Sequence, residues 1–556
     1  MIATSFRTCA QTGLRVHGQA EALLKAHAVA GVLAILFGGI AAVLVLLTRW
    51  PAVHLMGPVG YYRGLTFHGI NMLIFWIIFF EIAILYFAGA ILLGSRVPWP
   101  KVAWGGFGLM VLGSLLIDVA VLQGGADVMF TSYVPLKAVS HFYLGWILFA
   151  VGALVGVVNF FATLVVARSE RTYQGSIPLV TFGAATAAII AVATLAHGAI
   201  IYIPTWLWSL GIIQNLDAGM YRLVWWGLGH PSQQINVSAM VAVWYLLATL
   251  TVGATPINEK LSRTAFLLYI LFINLAAAHH LLVDPMVSPA WKVWNTSYGM
   301  YLAVLASMVH GMTVPAAVEV AQRKKGLSKG LFEWLAKAPW GNPGFAALVL
   351  SLVLFGFMGG ITGVTFGAEQ VNIISHNTLR IPGHFHSTVV AGTTLAFMGL
   401  TYYVVPLIFR RRIVSPKLAT VQVYLFGIGI AIFAGGMTTA GSYAIPRRHW
   451  DVQFASSTFQ PPIEPTAFFF LGVMGVGGLL AAVGGALYVL LTVASVFFGA
   501  RVPDTPGAVP LSPLAPATTR HVPVSGTLVL VFVFLAAFVI YYFLNWKWLA
   551  AIWLVK

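Results

Sequence analysis

Two histidines separated by a single residue, His384 and His386, stand inside a long apolar stretch as Gly383-His384-Phe385-His386-Ser387. On an α-helix, at about 100° per residue, such a pair diverges by roughly 200°. One helix would therefore offer an imidazole to each of two flanks, an arrangement that makes no sense as packing and suits a bridge between two haems. Four more histidines belong with them: His68 in YYRGLTFHGINM, His230 in WWGLGHPSQQIN, and the adjacent pair His279-His280 in AAAHHLLVDP. Ionisable side chains in apolar spans are costly and mark function. Neutral imidazole serves haem iron, copper and non-haem iron alike. His68 and His386, from different helices, would give a six-coordinate haem suited to electron transfer. His384 would hold a second haem with one axial position open, and His230, His279 and His280 would bring three nitrogens to a second metal facing it. A centre of that kind binds and reduces a small diatomic ligand.

The elements that must position these groups are membrane spans. The chain has 556 residues, of which 60% are hydrophobic and only 8% charged, and its mean hydropathy of +0.91 lies outside the range of soluble proteins. At roughly 20 apolar residues per crossing, spans fall at about 22–49, 60–94, 102–123, 141–168, 177–210, 228–253, 262–285, 293–322, 343–365, 378–410, 418–443, 466–498 and 525–549. That makes an all-α membrane protein of about 13 helices. Residues 1–556 read as one integral-membrane catalytic domain, with core helices over about 22–498, a Pro/Thr/Ser-rich linker over about 502–524 and an extra C-terminal helix over about 525–549. Basic clusters such as Arg323-Lys324-Lys325 and Arg410-Arg411-Arg412 fall on the side shared with the N-terminus. By the positive-inside rule that side is cytoplasmic. The net charge of +16 is thus a topology signal, and nucleic-acid binding is excluded. No cleavable signal peptide is expected. The lone cysteine, Cys9, excludes a disulfide framework, a cysteine metal cluster and a covalent c-type haem motif.

The stretches GLTFHG, SYVPLK with HFYLG, GHP, HH with DP, HNTLRIPGHFH and IPRRHW run in an order and spacing that resemble the catalytic subunit of the haem-copper oxidase superfamily, in particular its B-type branch. The resemblance covers nearly the whole chain. It implies a subunit I-like helical bundle in which His68 and His386 are axial ligands of a low-spin haem b and His384 is the proximal ligand of a high-spin haem of b or a type. It implies that His230, His279 and His280 bind the second metal. Arg447 and Arg448 match the pair that meets haem propionates, where guanidinium forks suit carboxylates, and Asp284 and His376 match positions near the propionates of the high-spin haem. Tyr133, Ser307 and Tyr245 match the branch's polar proton path, with His310 in place of a threonine. Glu81, thirteen residues inward from His68, belongs either to a second proton route or to the structure.

One departure bears on the substrate. Oxygen reductases of this branch carry a tyrosine four residues after the first second-metal histidine, crosslinked to it, and here that residue is Gln234. An amide neither titrates nor forms a radical, so the four-electron cleavage of dioxygen loses its local donor. Reduction of two nitric oxide molecules to nitrous oxide needs two electrons and two protons, which favours a nitric oxide reductase over a cytochrome c oxidase. A tyrosine arriving from another helix would restore the oxidase reading. Typical nitric oxide reductases of the superfamily use non-haem iron with a glutamate from the same turn, yet no acid lies between Asp217 and Glu259. Three imidazoles leave copper favoured and iron open, and Gln234 and Asn236 either orient ligand or water or serve as plain interhelical hydrogen bonders. Electrons must come from elsewhere: the expected donor is a subunit II carrying dinuclear copper or a c-type haem, fed by cytochrome c or a similar donor, with a quinol site as the alternative, in a bacterial or archaeal cytoplasmic membrane with lipid around the bundle. A secondary transporter, the reading from another class, would show broken helices and a carboxylate site at the midplane.

Overall fold

The computed structural model describes residues 6–9, 12–273, 277–455, 457–502 and 522–552. It is almost entirely helical. Apart from two isolated bridges, its strand pairing is an N-terminal hairpin, β1 (Phe6–Thr8) antiparallel to β2 (Arg15–His17). Twelve helices among the described residues are long and apolar enough to cross a membrane. In chain order they are α1 (Gly18–Arg49), α2 (Pro58–Ile91), α3 (Pro100–Leu122), α4 (Ser140–Ser169), α5 (Leu179–Ser209) and α6 (Ala218–Val252), then, after the shorter α7 (Glu259–Leu268), α8 (Pro289–Lys324), α9 (Pro343–Gly367), α10 (Arg380–Phe409), α11 (Pro416–Ser442), α12 (Pro465–Phe498) and α13 (Ser525–Ile552). The segment expected to cross at 262–285 is not one regular helix. It runs from α7 through a π turn at Tyr269–Ile273 to a 3-10 turn at Ala277–Leu281, leaving α geometry before two consecutive histidines that both turn toward His230. Most of the expected linker, residues 503–521, lies outside the described residues.

Neighbouring helices pack in pairs, α3 on α4, α5 on α6 and α11 on α12. In hydrocarbon the drive for such pairing is close packing, which small residues permit. A Cβ on Gly113 of α3 would sit 2.5 Å from the Gly145 carbonyl oxygen, and one on Gly152 of α4 would sit 2.4 Å from that of Gly106. The backbones touch there.

Helical periodicity is broken at the functional histidines. α2 changes to π geometry at Asn71–Phe75, just after His68, and α10 does so from His386 to Thr394. A π segment adds a residue to the turn and re-aims the side chains around it. The His384/His386 pair straddles such a junction, and its rings still leave on separate flanks: His386 faces His68, while His384 meets Thr362 and Phe366 of α9.

Candidate haem and second-metal centre

The rings of His68 and His386 lie 6.5 Å apart between centroids and 9° from parallel. Two metal–nitrogen bonds of about 2 Å and two ring radii of about 1.1 Å, which follow from bonds of about 1.33 Å, sum to about 6.2 Å. The pair is therefore spaced to take one iron between its Nε2 atoms. Backbone carbonyls set the tautomers: His68 Nδ1–H donates to Gly38 at 3.0 Å and His386 Nδ1–H to Pro382 at 2.7 Å. Each ring thereby keeps its Nε2 as the lone-pair nitrogen available to a metal. On the other flank, His384 Nδ1–H donates to Thr362 Oγ1 at 2.9 Å, and Thr362 passes its own hydrogen to backbone carbonyls of its helix. Gly363 is a glycine for room: a Cβ there would come within 2.8 Å of the His384 ring.

His230, His279 and His280 offer ligand nitrogens that all lie within 4.8 Å of one another. Among the described residues they are the one group of three or more histidine, cysteine or acidic side chains so placed. His230 turns Nδ1 toward His280 Nε2, 3.2 Å away, and its own Nε2 toward the Gln234 amide nitrogen at 3.3 Å. Trp226 stacks on His280 at 3.7 Å and 6°, which locks that ring. The residues fit a three-imidazole metal.

A single cavity of about 410 Å³ touches His68, His384, His386, His280, Arg447 and Arg448. Among its described lining residues the one tyrosine is Tyr61, at the arginine end and two turns before His68. Arg447 and Arg448 sit in the loop after α11. That loop is pinned by Arg447 N–H to the Asn377 carbonyl at 2.8 Å and by Arg49, which donates to the carbonyls of Pro446 and His449. No carboxylate among the described residues pairs with either arginine, and Arg447 Nε has no partner. Burial and the Arg448 guanidinium pull Arg447 down to about 9. Two partly buried guanidinium groups lining this cavity, with no carboxylate partner among the described residues, fit anionic haem propionates. Asp284 pairs with Arg222 at 3.0 Å, and His376, drawn down to about 4 by burial and Arg447, lies in the field of both.

These features decide the family, and sequence comparison agrees: residues 22–465 match the family described as Cytochrome C and Quinol oxidase polypeptide I. The chain belongs to it. It is 30% identical over 440 residues to cytochrome c oxidase subunit 1 of Thermus thermophilus, covering 78% of this chain and 77% of that one. It is 24% identical over 460 residues to cytochrome c oxidase polypeptide 1 of Halobacterium salinarum, covering 78% and 72%. Its fold is similar to a solved haem-copper terminal oxidase dimer, with a TM-score of 0.83 and 25% identity over 96% of this chain and 92% of that one. A haem-copper oxidase subunit I is thus a multi-pass membrane protein whose family implies haems and copper.

In this subunit three of the four residues expected on the proton path come together. Tyr245 Oη meets Ser262 Oγ at 2.9 Å, His310 Nδ1 at 3.1 Å and Thr313 Oγ1 at 2.7 Å, and Ser307 Oγ meets Tyr269 Oη at 2.8 Å beside His310. The sequence reading missed Ser262, Thr313 and Tyr269. A hydroxyl facing a titratable side chain across two helices was the signal that marked them. Tyr133 is elsewhere, which corrects its placement on that path. It lies in the loop between α3 and α4, with Arg222 4.7 Å over its ring and Trp225 beside it. Its phenol is raised by burial and held back by Arg448 and Arg222. A loop at the arginine end cannot also serve a path rising from the opposite face. The reading also missed Thr362, because threonines that bond back to their own helix are common and carry no distinguishing pattern.

Proposed function

We propose that this subunit reduces nitric oxide, two NO with two electrons and two protons giving N2O and water, on a B-type oxidase scaffold. The observation that carries the reading is Gln234, whose amide lies against His230 Nε2, the ring nitrogen turned away from His280. That is where the tyrosine crosslink of the B-type oxygen reductases would form. Tyr61 stands at the far end of the cavity, and Tyr245 and Tyr269 are engaged with Ser262, Thr313 and Ser307. None supplies the missing phenol.

Bound haems and the second metal supply electron transfer and ligand activation, and the remaining work falls to the chain. His68 and His386 hold the low-spin haem, and His384, oriented by Thr362, holds the high-spin haem. His230, His279 and His280 hold the second metal, for which the all-imidazole set favours copper over iron. Arg447 and Arg448 clamp the propionates, with Asp284 and His376 alongside. Tyr245, His310 and Ser307 move protons inward to the centre, and Gln234 orients the ligand as a neutral hydrogen-bond donor. A subunit II with dinuclear copper or a c-type haem delivers electrons at the arginine end, in a bacterial or archaeal cytoplasmic membrane.

The names of the relatives favour a second reading, oxygen reduction as a cytochrome c oxidase. Turnover of the purified complex with nitric oxide and with oxygen, alongside metal analysis, separates the two. Nitric oxide consumption well above oxygen consumption supports the proposal, and robust oxygen reduction with negligible nitric oxide consumption overturns it.

A further inference from the structure

Arg380 is a buried cation that the site above leaves unused. It opens α10, is 2% exposed, and forms no ion pair among the described residues. One nitrogen, Nη2, donates to the Asn545 side chain of α13, and the Tyr541 phenol of the same helix lies beside it. Nε and Nη1 have no hydrogen-bond partner. Its guanidinium is stacked between two rings, Phe366 of α9 and Trp548 of α13, and Phe366 belongs to a buried apolar cluster with Val371 and Leu549. A guanidinium stays protonated in such surroundings. An uncompensated charge there is costly and calls for a function. A neutral amide could make the bond to Asn545 without it.

The place of that charge relative to His384 is fixed in two ways. Residues 380–385 are α-helical, so Arg380 and His384, four apart, share one face of α10 with Cβ atoms about 6 Å apart. Both side chains then meet the same ring. Arg380 Cζ lies 4.9 Å from the centre of Phe366, and the His384 ring lies 5.9 Å from it at 82°. Through that shared ring the guanidinium is within about 11 Å of the His384 imidazole, and at an effective dielectric of about 20 a unit charge at that distance changes an equilibrium about tenfold. His386 leaves α10 on the other flank, toward His68, so a haem between those two feels the same charge from farther off.

We propose that Arg380 sets the direction of electron flow between the two haems, its unneutralised charge favouring reduction of the haem on His384 over that of the haem between His68 and His386. No bond is made or broken at Arg380. The electron leaves the low-spin haem and enters the high-spin haem, and the fixed cation lowers the energy of the negative charge added there. The inference rests on His384 carrying the high-spin haem, and it holds whether nitric oxide or oxygen is reduced at that centre.

The test is a spectroelectrochemical redox titration of the complete, haem-loaded complex, with the low-spin and high-spin bands followed separately. Arg380→Gln keeps a donor for Asn545 and removes the charge, whereas Arg380→Lys keeps the charge and loses the fork. In Arg380→Gln the high-spin haem should become harder to reduce, its reduction equilibrium falling about tenfold, while the low-spin haem shifts less. Arg380→Lys should titrate like the parent. Parent-like titration of Arg380→Gln would overturn the proposal, and so would equal shifts in the two variants, which mark lost packing rather than lost charge. If Arg380→Gln does not assemble, Asn545→Asp sets a carboxylate against the guanidinium and neutralises it in place. The high-spin haem should again become harder to reduce, and an unchanged titration sinks the proposal. A parent whose reduced spectrum lacks a carbon monoxide-binding haem would overturn the His384 assignment and the proposal with it.

Discussion

Gln234 places its amide nitrogen 3.3 Å from His230 Nε2 while His230 Nδ1 faces His280. The histidine is thus held between a metal position and a neutral amide, and its outer nitrogen is occupied by a group that neither titrates nor oxidises. A phenol at residue 234 would stand one turn from the ring but would still lack the covalent bond and the proton supply that make it a redox group. Gln234→Tyr alone should therefore leave oxygen turnover far below the parent's nitric oxide turnover. Oxygen and nitric oxide electrodes on the same preparation check this, and a variant reducing oxygen as fast as the parent reduces nitric oxide would show the amide is not what sets the substrate.

The parallel His68 and His386 rings make a separate prediction. Each ring is already oriented by a carbonyl on its Nδ1, so removing one leaves the other aimed but alone. His386→Leu should lose the low-spin bands of the reduced-minus-oxidised spectrum while His384, held by Thr362, keeps a haem that binds carbon monoxide. Loss of both haem signals together would mean the two sites are not independent.

The six histidines were legible because ionisable groups are expensive in lipid, so each one inside a span announces itself. The broken geometry around them was not. Nothing in the hydropathy of Asn71–Phe75 or His386–Thr394 distinguishes a π segment from an α-helix, because both bury the same apolar side chains and differ by one residue in a turn. The 262–285 segment reads as one span for the same reason, although its described residues take three helical forms, α, π and 3-10. Tyr133 was misplaced by resemblance alone: the span order already set it in a loop at the far end from Tyr245. Glu81 and Asn236 were each visible as polar residues in apolar surroundings, yet 155 positions of sequence hide the fact that they touch.

His17 gives a pH dependence outside the membrane. Its buried ring closes the N-terminal hairpin, and its Nδ1 accepts the Val97 N–H at 3.3 Å, so the folded state requires that nitrogen unprotonated. Burial first, then Arg96, lowers its pKa below the ordinary 6.5. The unfolded hairpin then binds a proton that the folded one refuses, so stability is full above pH 6.5 and declines as pH falls from there to the lower folded-state value. The hydrogen-exchange protection factors of Val97 and of β2, taken relative to the intrinsic rate at each pH, should fall below pH 6.5 in the parent. In His17→Phe that acid step should disappear; its persistence would assign the step to another group.

The last helix is attached through Glu319 of α8. Its carboxylate accepts the N–H groups of Gly526 and Thr527 at 3.0 and 2.6 Å and the Thr527 hydroxyl at 2.7 Å, while Arg323 Nε donates to it at 2.8 Å. Both partners of the ion pair are buried, with side chains 0% and 6% exposed. The carboxylate also sits at the first turn of α13, where the helix dipole and the unpaired amides favour a negative charge. Glu319→Ala removes all of this at once and leaves Arg323 unneutralised, at a cost of about 3 kcal/mol for a broken buried pair. Thr527→Ala removes one hydrogen bond, at about 1 kcal/mol. Because α13 is otherwise held at its far end by Arg380, which bonds Asn545 and lies over the Trp548 ring at 4.3 Å, the expected result is detachment at one end rather than unfolding of the bundle. In detergent, Glu319→Ala should make the first turn of α13 susceptible to protease and lower the melting temperature, with haem spectra unchanged and Thr527→Ala intermediate. Spectral loss at the haems in step with proteolysis would show instead that α13 supports the catalytic core.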